Sequence, residues 1–489
     1  MISRWVGFGW WLGFLVAGLA QAETVRVSEG SLLKLVEEST PSVARIHAAL
    51  LDARSQRDSY DEKFSPSFFA GGQIAETRER ALISFAPVFS PTRNAQIGVQ
   101  KSLPYGVDMT ASVVMDQRTA GSLNLTNGTS LTGALDLSID LWKDLLGYTT
   151  RAKRRELEAR AEKSELEEQI NRKAFNISVR QLYWALVANE ESRKISLRLL
   201  ETAEIQAKDA KKRLRNSIAD KGEVARYESQ VAQRRAQLTR LDYEKDEIVK
   251  QLMILLPGLA THELELLPYD LQATVAEVLL CTAQINTAAD APLQYTLYDQ
   301  IIEKIEAEKN AQMASHARYD DIDVHFKTRL KTTGVDNDAD SNLGGAWNDI
   351  SGNNRFGYEV GLELRIPLDG KKSDTSKLRT LRDQLRSDAE AKELKTRVES
   401  THRQIGRSIQ YLTQVVSLLK ENSAKLRIRL KDMEQKYAQA RVSVTELVAE
   451  QDALLGSELN VVQTQLEALN ALFAYLTVFT ETPCSFNQR

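Results

Sequence analysis

One arrangement occurs twice in this chain and limits every fold open to it: a helix, a run of two-residue alternation, a long helix, a short break and another helix. In the second copy the apolar residues from Ile405 fall at Ile409, Leu412, Val416, Leu419, Leu426, Leu430, Met433 and Tyr437, four and three apart with a slip at Ser423. That is the spacing of a coiled-coil seam. The rhythm resumes at Leu455, Leu459, Val462, Leu466, Leu469, Phe473 and Leu476. Two such helices joined by a few residues must fold back as an antiparallel hairpin, because each apolar stripe needs a partner to bury against. The first copy has a charged helix over 148–216, a gap at 217–222, and then Val224, Tyr227, Val231, Leu238, Leu241, Ile248, Leu252 and Leu255 before Pro257-Gly258 ends it. The breaks at 218–222 and 441–445 lie at matching places, which reads as an internal duplication.

Between these helices the period changes to two. Ala95, Ile97, Val99 and Leu103 alternate with polar residues; so do Val107, Met109, Ala111, Val113 and Met115, and then Leu131, Leu135, Leu137, Ile139 and Leu141. With a less regular first segment over 66–76, that makes four candidate strands in the first copy. The second copy has two, at Ile322, Val324, Phe326, Thr328 and Leu330, and at Phe356, Tyr358, Val360, Leu362, Leu364, Ile366 and Leu368. Segments of about ten residues, apolar on one side and polar on the other, are what a transmembrane barrel strand requires, although a soluble antiparallel sandwich alternates in the same way. The connections favour the barrel: only Pro104-Tyr105-Gly106 separates two of the strands, whereas 77–94, 117–130 and the Gly/Asn/Asp-rich 333–355 read as long loops. Residues 31–60 read as helix with a break at Pro41.

Composition excludes several functions. With 67 acidic and 64 basic residues in 489 and a net charge of -3, the chain carries no nucleic-acid footprint. Arg4, the apolar run over 5–19 and Ala20-Gln21-Ala22 read as a secretory signal cleaved after Ala22; a membrane anchor is the alternative, but the run is shorter than the ~20 residues a span needs. The five histidines have no ligand spacing, and no phosphate-binding or dinucleotide fingerprint occurs, so neither enzyme nor cofactor is expected. Asp336, Asp338 and Asp340 begin like a calcium loop but lack its glycine and its closing glutamate, so no metal is expected there. Cys281 and Cys484 are the only cysteines; an even pair in a secreted chain suggests a disulfide, with two free thiols as the alternative.

The duplicated order, the RLRNSIADKGEVAR stretch at the first break, KYAQARVSVTELVAEQDALL at the second and LDLSIDLWKDLLG at the strand-to-helix junction together resemble the TolC family of bacterial outer-membrane efflux proteins. The resemblance covers nearly the whole mature chain. It implies an α+β membrane protein: a homotrimer whose shared transmembrane β-barrel, set in outer-membrane lipid, continues into a long periplasmic α-helical barrel of coiled-coil hairpins. The breaks would form the distal, closable end, where a periplasmic adaptor and an inner-membrane pump or ABC secretion transporter attach. On this reading residues 1–22 are the signal peptide, 23–256 the first repeat (strands about 66–141, hairpin about 148–256) and 257–292 an equatorial segment. Residues 293–482 are the second repeat (strands about 322–368, hairpin about 375–480) and 483–489 a tail. The family generally has four strands per subunit; six candidates here imply either an eighteen-stranded barrel or a Tyr105 hairpin outside the wall.

At the distal end Glu446 falls where the family carries a pore-facing acidic residue, and Glu450 follows four residues later on the same helix face. Threefold symmetry would make each a carboxylate ring favouring cations; a solvated helix surface is the alternative. Tyr437 matches a tyrosine that helps hold the family's hairpin closed, though it also continues the Met433 seam; the family's glycine is here Ala440, and its arginine is displaced to Arg441. Ile218, Ala219, Asp220, Lys221 and Gly222, with Arg441, Val442, Ser443 and Val444, are the candidate adaptor contacts. The resemblance implies a passive, gated exit duct for efflux or type I secretion; a secreted coiled-coil scaffold and an autonomous porin are the rival readings.

Overall fold

The structure is a computed structural model of the chain. It describes residues 24–37, 40–77, 89–120, 128–217, 219–260, 262–287, 296–316, 322–338, 340–352, 355–366, 368, 371–439 and 441–479. Ala22, Ile218, Ala440 and Cys484 lie outside the described residues, and of Cys281 only its place in a helix is described.

Helical hairpins dominate. α1 (Glu29–Glu37) and α2 (Pro41–Glu62) precede the first strands; α3 (Tyr148–Arg215) and α4 (Lys221–Leu255) follow them. After α5 (Leu271–Thr287) and α6 (Leu297–His316) come α7 (Leu343–Gly352), α8 (Lys371–Ala438) and α9 (Val444–Val478). Both α3 and α8 have 68 residues and both α4 and α9 have 35, so the repeated order extends to element length. At 1.5 Å per residue each long helix spans about 100 Å. The expected break at Pro41 separates α1 from α2: Pro41 takes the first position of α2, where its missing N–H costs nothing, and the Thr40 hydroxyl accepts the Val43 N–H. The 412–437 seam packs against α9, with Leu412 and Val416 buried and Ser423, the slip in the pattern, also buried at 6% exposure.

All six expected strands enter one antiparallel sheet. Its order is β2 (Ser67–Ala75), β3 (Phe89–Leu103), β4 (Val107–Ala120), β5 (Gly128–Asp140), β7 (Asp323–Asp336) and β8 (Phe356–Arg365). The β3–β4 hairpin at Tyr105 therefore lies within the sheet, not beside it. Its turn is seated by two glycines: a Cβ on Gly106 (φ +73°) would come 2.2 Å from the Asp144 carbonyl oxygen, and one on Gly147 (φ +72°) 1.9 Å from that of Pro104. Only glycine allows the turn to lie so close to the start of α3. The expected loops need correction. β3 already begins at Phe89 within the supposed loop over 77–94, β4 runs to Ala120 and β5 begins at Gly128 within that over 117–130, β7 continues to Asp336, and the supposed loop over 333–355 holds the ten-residue α7. A short parallel pair, β1 (Thr24–Val27) with β6 (Glu263–Leu266), was not anticipated.

The register makes the sheet two-sided. Phe68, Val99, Ala111, Leu135, Leu330 and Tyr358 stand in one cross-strand row, and Leu103, Val107, Ile139, Phe326 and Leu362 in another on the same face. Many are open: Phe68 is 71% exposed, Tyr358 74% and Leu362 68%. The opposite face carries cross-strand ion pairs, Asp136 with Arg329, Glu359 with Lys331 and Glu363 with Lys327. The main core lies elsewhere, where α1, α5 and the β1–β6 pair pack on α3, α4 and α9; Val27, Leu32, Leu186, Leu252, Leu469 and Phe473 are each at most 2% exposed.

Candidate functional site at the distal helix breaks

The two breaks are built by capping. Asp220 accepts the Glu223 N–H at 2.7 Å and starts α4. Ser443 starts α9 with a reciprocal capping box: its hydroxyl accepts the Glu446 N–H at 3.3 Å, and the Glu446 carboxylate accepts the Ser443 N–H at 2.8 Å. The preceding helices end at Arg215 and Ala438, leaving 216–220 and 439–443 as connectors of equal length.

These ends meet at Tyr437. Arg213 of α3 donates to its hydroxyl at 2.7 Å, that hydroxyl donates to Glu223 of α4, and Arg213 lies 3.4 Å from the same carboxylate. The Arg213 guanidinium also sits over the Tyr437 ring at 5.2 Å, and Tyr227 meets that ring edge-on at 6.5 Å. Beneath lies a small apolar cluster of Ala207, Ala210, Val224 and Tyr227, against which Tyr437, Val444 and Val448 pack. One charged triad over one small core thus ties the α8–α9 tip to the α3–α4 tip. Burial raises the Tyr437 phenol above its ordinary value, and the Glu223 carboxylate it donates to acts in the same direction. Burial likewise raises Tyr227, reinforced by the Tyr437 phenol.

Above the triad the two hairpins face each other through polar side chains. Gln230 donates to Gln451 at 2.8 Å with both residues buried, and Arg234, 6% exposed, pairs with Asp452. Within the second hairpin Arg429 pairs with Glu450 at 3.2 Å. Gln230 Oε1, Gln451 Nε2, Arg234 Nε and Glu450 Oε1 are buried without a hydrogen-bond partner among the described residues.

The expected site residues divide accordingly. Glu446 is exposed, and its hydrogen bonds from the Ser443 backbone and hydroxyl hold its carboxyl below the usual range. Glu450, expected on the same open face, is only 5% exposed and engaged with Arg429. Tyr437 is central to the cluster. Arg441 is not part of it: its N–H donates to the Lys436 carbonyl at 2.9 Å, and its guanidinium makes no hydrogen bond or ion pair among the described residues. The arginine at Tyr437 is Arg213, which sequence reasoning missed together with Glu223. Ala219, Asp220, Lys221 and Gly222 lie at the start of α4, and Val442, Ser443 and Val444 at the start of α9. The legible signal was Asp220 followed three residues later by Glu223, a capping pattern.

No protein-family model matches the chain, and no curated protein does. Solved structures do. The chain is similar to the outer-membrane channel OprN (15% identity, TM-score 0.61, covering 92% of this chain and 89% of that one). It is also similar to the CmeC outer membrane channel of Campylobacter jejuni (11%, 0.61, 98% and 93%). The MtrE outer membrane channel of Neisseria gonorrhoeae, solved in its open state, is a third (15%, 0.57, 92% and 88%). At these identities the likeness speaks to architecture, and over nearly the full length of both partners the chain has the fold of the TolC-type outer-membrane channels.

Proposed function

We propose that the chain is one subunit of a passive, gated exit duct in the bacterial outer membrane, receiving cargo from an inner-membrane transporter across the periplasm. The observation that carries this is the two-sided, six-stranded sheet mounted on duplicated helical hairpins about 100 Å long. No described helix is long and apolar enough to cross a membrane; the open apolar face of the sheet, with Phe68, Tyr358 and Leu362 exposed, is the surface that meets lipid in this reading. β2 and β8 each have one unpaired side, and an unpaired strand edge is not tolerated in hydrocarbon. β2 leads up from α2 and β8 returns to α8, so β8 of one copy meets β2 of the next antiparallel. Three copies, the number the fold resemblance implies, close an eighteen-stranded barrel. At ~4.8 Å per strand and a tilt of ~40° its diameter between backbones is about 36 Å, against about 24 Å for twelve strands. Exposed apolar residues along α8, with Leu378 67% and Leu385 62% exposed, supply further surface for neighbouring copies.

In this reading the ion-paired face of the sheet lines water, and the helical hairpins continue the conduit as a barrel of coiled coils. The triad of Tyr437, Arg213 and Glu223 is the latch of the distal end, and the polar seam above it parts when the α8–α9 hairpin swings away. Glu446, exposed beside the tip, forms a carboxylate ring in the trimer. Lys221 and Arg441 at the tips meet the adaptor. Reconstitution in planar bilayers tests the reading: a gated duct gives small cation-selective currents that Glu446→Ala enlarges. Absence of current points to a secreted scaffold; large currents indifferent to the substitution point to an autonomous porin.

A further inference from the structure

α7 packs on the apolar face of the sheet, at the end of β5 and β7 away from the long helices. Its seat is specific. A Cβ on Gly334 would come 2.0 Å from the Ala346 carbonyl oxygen and 2.6 Å from the Ile350 side chain, so only glycine lets the helix lie on the strand. Gly334, Leu131, Thr129 and Asp336 belong to the same face as Leu330 and Tyr358 by register. Leu131 and Thr129 are accordingly buried, at 5% and 1% exposure. The ends are pinned by polar groups: Asp336 accepts the Asn342 N–H at 2.9 Å, Asp349 accepts the Val335 N–H at 2.9 Å, and Thr129 donates to Ser341 at 3.2 Å. Ala346, at 0% exposure, faces the strands, while Leu343 and Trp347, one turn apart, face away at 50% and 60% exposure.

A tightly seated helix that turns a leucine and a tryptophan outward is continuous with the apolar face beneath it. Trp142, 44% exposed, stands at the other end of β5, beside Leu141. From Leu131 to Leu141 the strand rises about 33 Å along its length, or about 25 Å at a tilt of ~40°, which is the height of a barrel's apolar band. The two tryptophans therefore bracket a band of membrane thickness, and tryptophan is enriched at both membrane–water boundaries because its ring is apolar with one polar N–H.

We propose that α7 is an interfacial helix lying in the headgroup layer of the outer leaflet, with Leu343 and Trp347 as its lipid contacts, fixing how deeply the sheet sits in the membrane. This rests on the outer-membrane reading above. Trp142, Trp184 and Trp347 are the tryptophans after residue 22, so variants of the full chain retaining one each, with the others changed to Phe, can be reconstituted in vesicles of brominated phosphatidylcholine. Trp347 emission should fall at least about twofold with bromines near the glycerol end and less with bromines near the chain terminus, and aqueous iodide should quench it weakly. Trp184, buried in the helical core at 5% exposure, should be quenched by neither. Strong iodide quenching of Trp347 with no lipid quenching, while the Trp142 variant is lipid-quenched, would overturn the assignment of α7 alone. If no variant is lipid-quenched and the chain does not float with vesicles, the membrane reading itself fails.

Discussion

Tyr437→Phe isolates the proposed latch because it removes one hydroxyl and keeps the ring that packs on Tyr227 and under Arg213. The hydroxyl accepts from a guanidinium and donates to a carboxylate. Hydrogen bonds to charged groups contribute about 1.5–3 kcal/mol each, but the triad is only half-buried, and the surviving Arg213–Glu223 pair compensates in part. A loss of about 1–2 kcal/mol per subunit is reasonable. If three subunits must release together, the closed state loses about 3–6 kcal/mol, a change of roughly 10² to 10⁴ in the closed-to-open ratio. Single-channel recording should show longer and larger openings, with Glu223→Gln giving the same direction of change. If Tyr437→Phe, Glu223→Gln and Arg213→Ala all leave conductance and open time unaltered, the triad is a packing feature and the latch reasoning is wrong.

Three further outcomes follow from the same sites. Charge reversal by Lys221→Glu or Arg441→Glu should weaken crosslinking to the periplasmic adaptor while leaving the trimer intact; unchanged crosslinking would remove the tips from the adaptor surface. The phenols of Tyr227 and Tyr437 are both raised in the folded protein, against about 10 in an unfolded chain. Their contribution is therefore complete below about pH 10 and is lost as pH rises through the folded values; phenolate absorbance and channel opening should rise together above that point, and opening without phenolate formation would exclude these groups. Gly334→Leu, which drives a side chain into α7, should lower the temperature at which the sheet unfolds, whereas the same change at Gly361, where a Cβ meets nothing within 4 Å, should not.

The long helices were legible almost to the residue, as in 148–216 against Tyr148–Arg215, because their spacing persists over many turns. The six strands were legible because a single open face enforces a period of two. α7 was not: Gly344, Gly345, Asn348 and Gly352 read as loop, and the helix forms where the notch at Gly334, the N–H acceptors Asp336 and Asn342 at its start, and the bond from the Val335 N–H to Asp349 hold it. β1 escaped because four residues carry no usable period and their partner lies far along the chain. At the distal site the caps at Asp220 and Ser443 were visible locally. The union of Arg213, Glu223 and Tyr437 joins residues more than two hundred positions apart, which no local pattern encodes. Glu450 shows the opposite failure: helical spacing put it beside Glu446, but not behind Arg429.

The most direct measurement is electron cryomicroscopy of the purified protein in lipid nanodiscs. Three copies should enclose one eighteen-stranded barrel about 36 Å across between backbones, in continuity with a helical body about 100 Å long. A twelve-stranded wall with the β3–β4 hairpin outside it would contradict the barrel, and single soluble copies that never enter the disc would contradict the whole account.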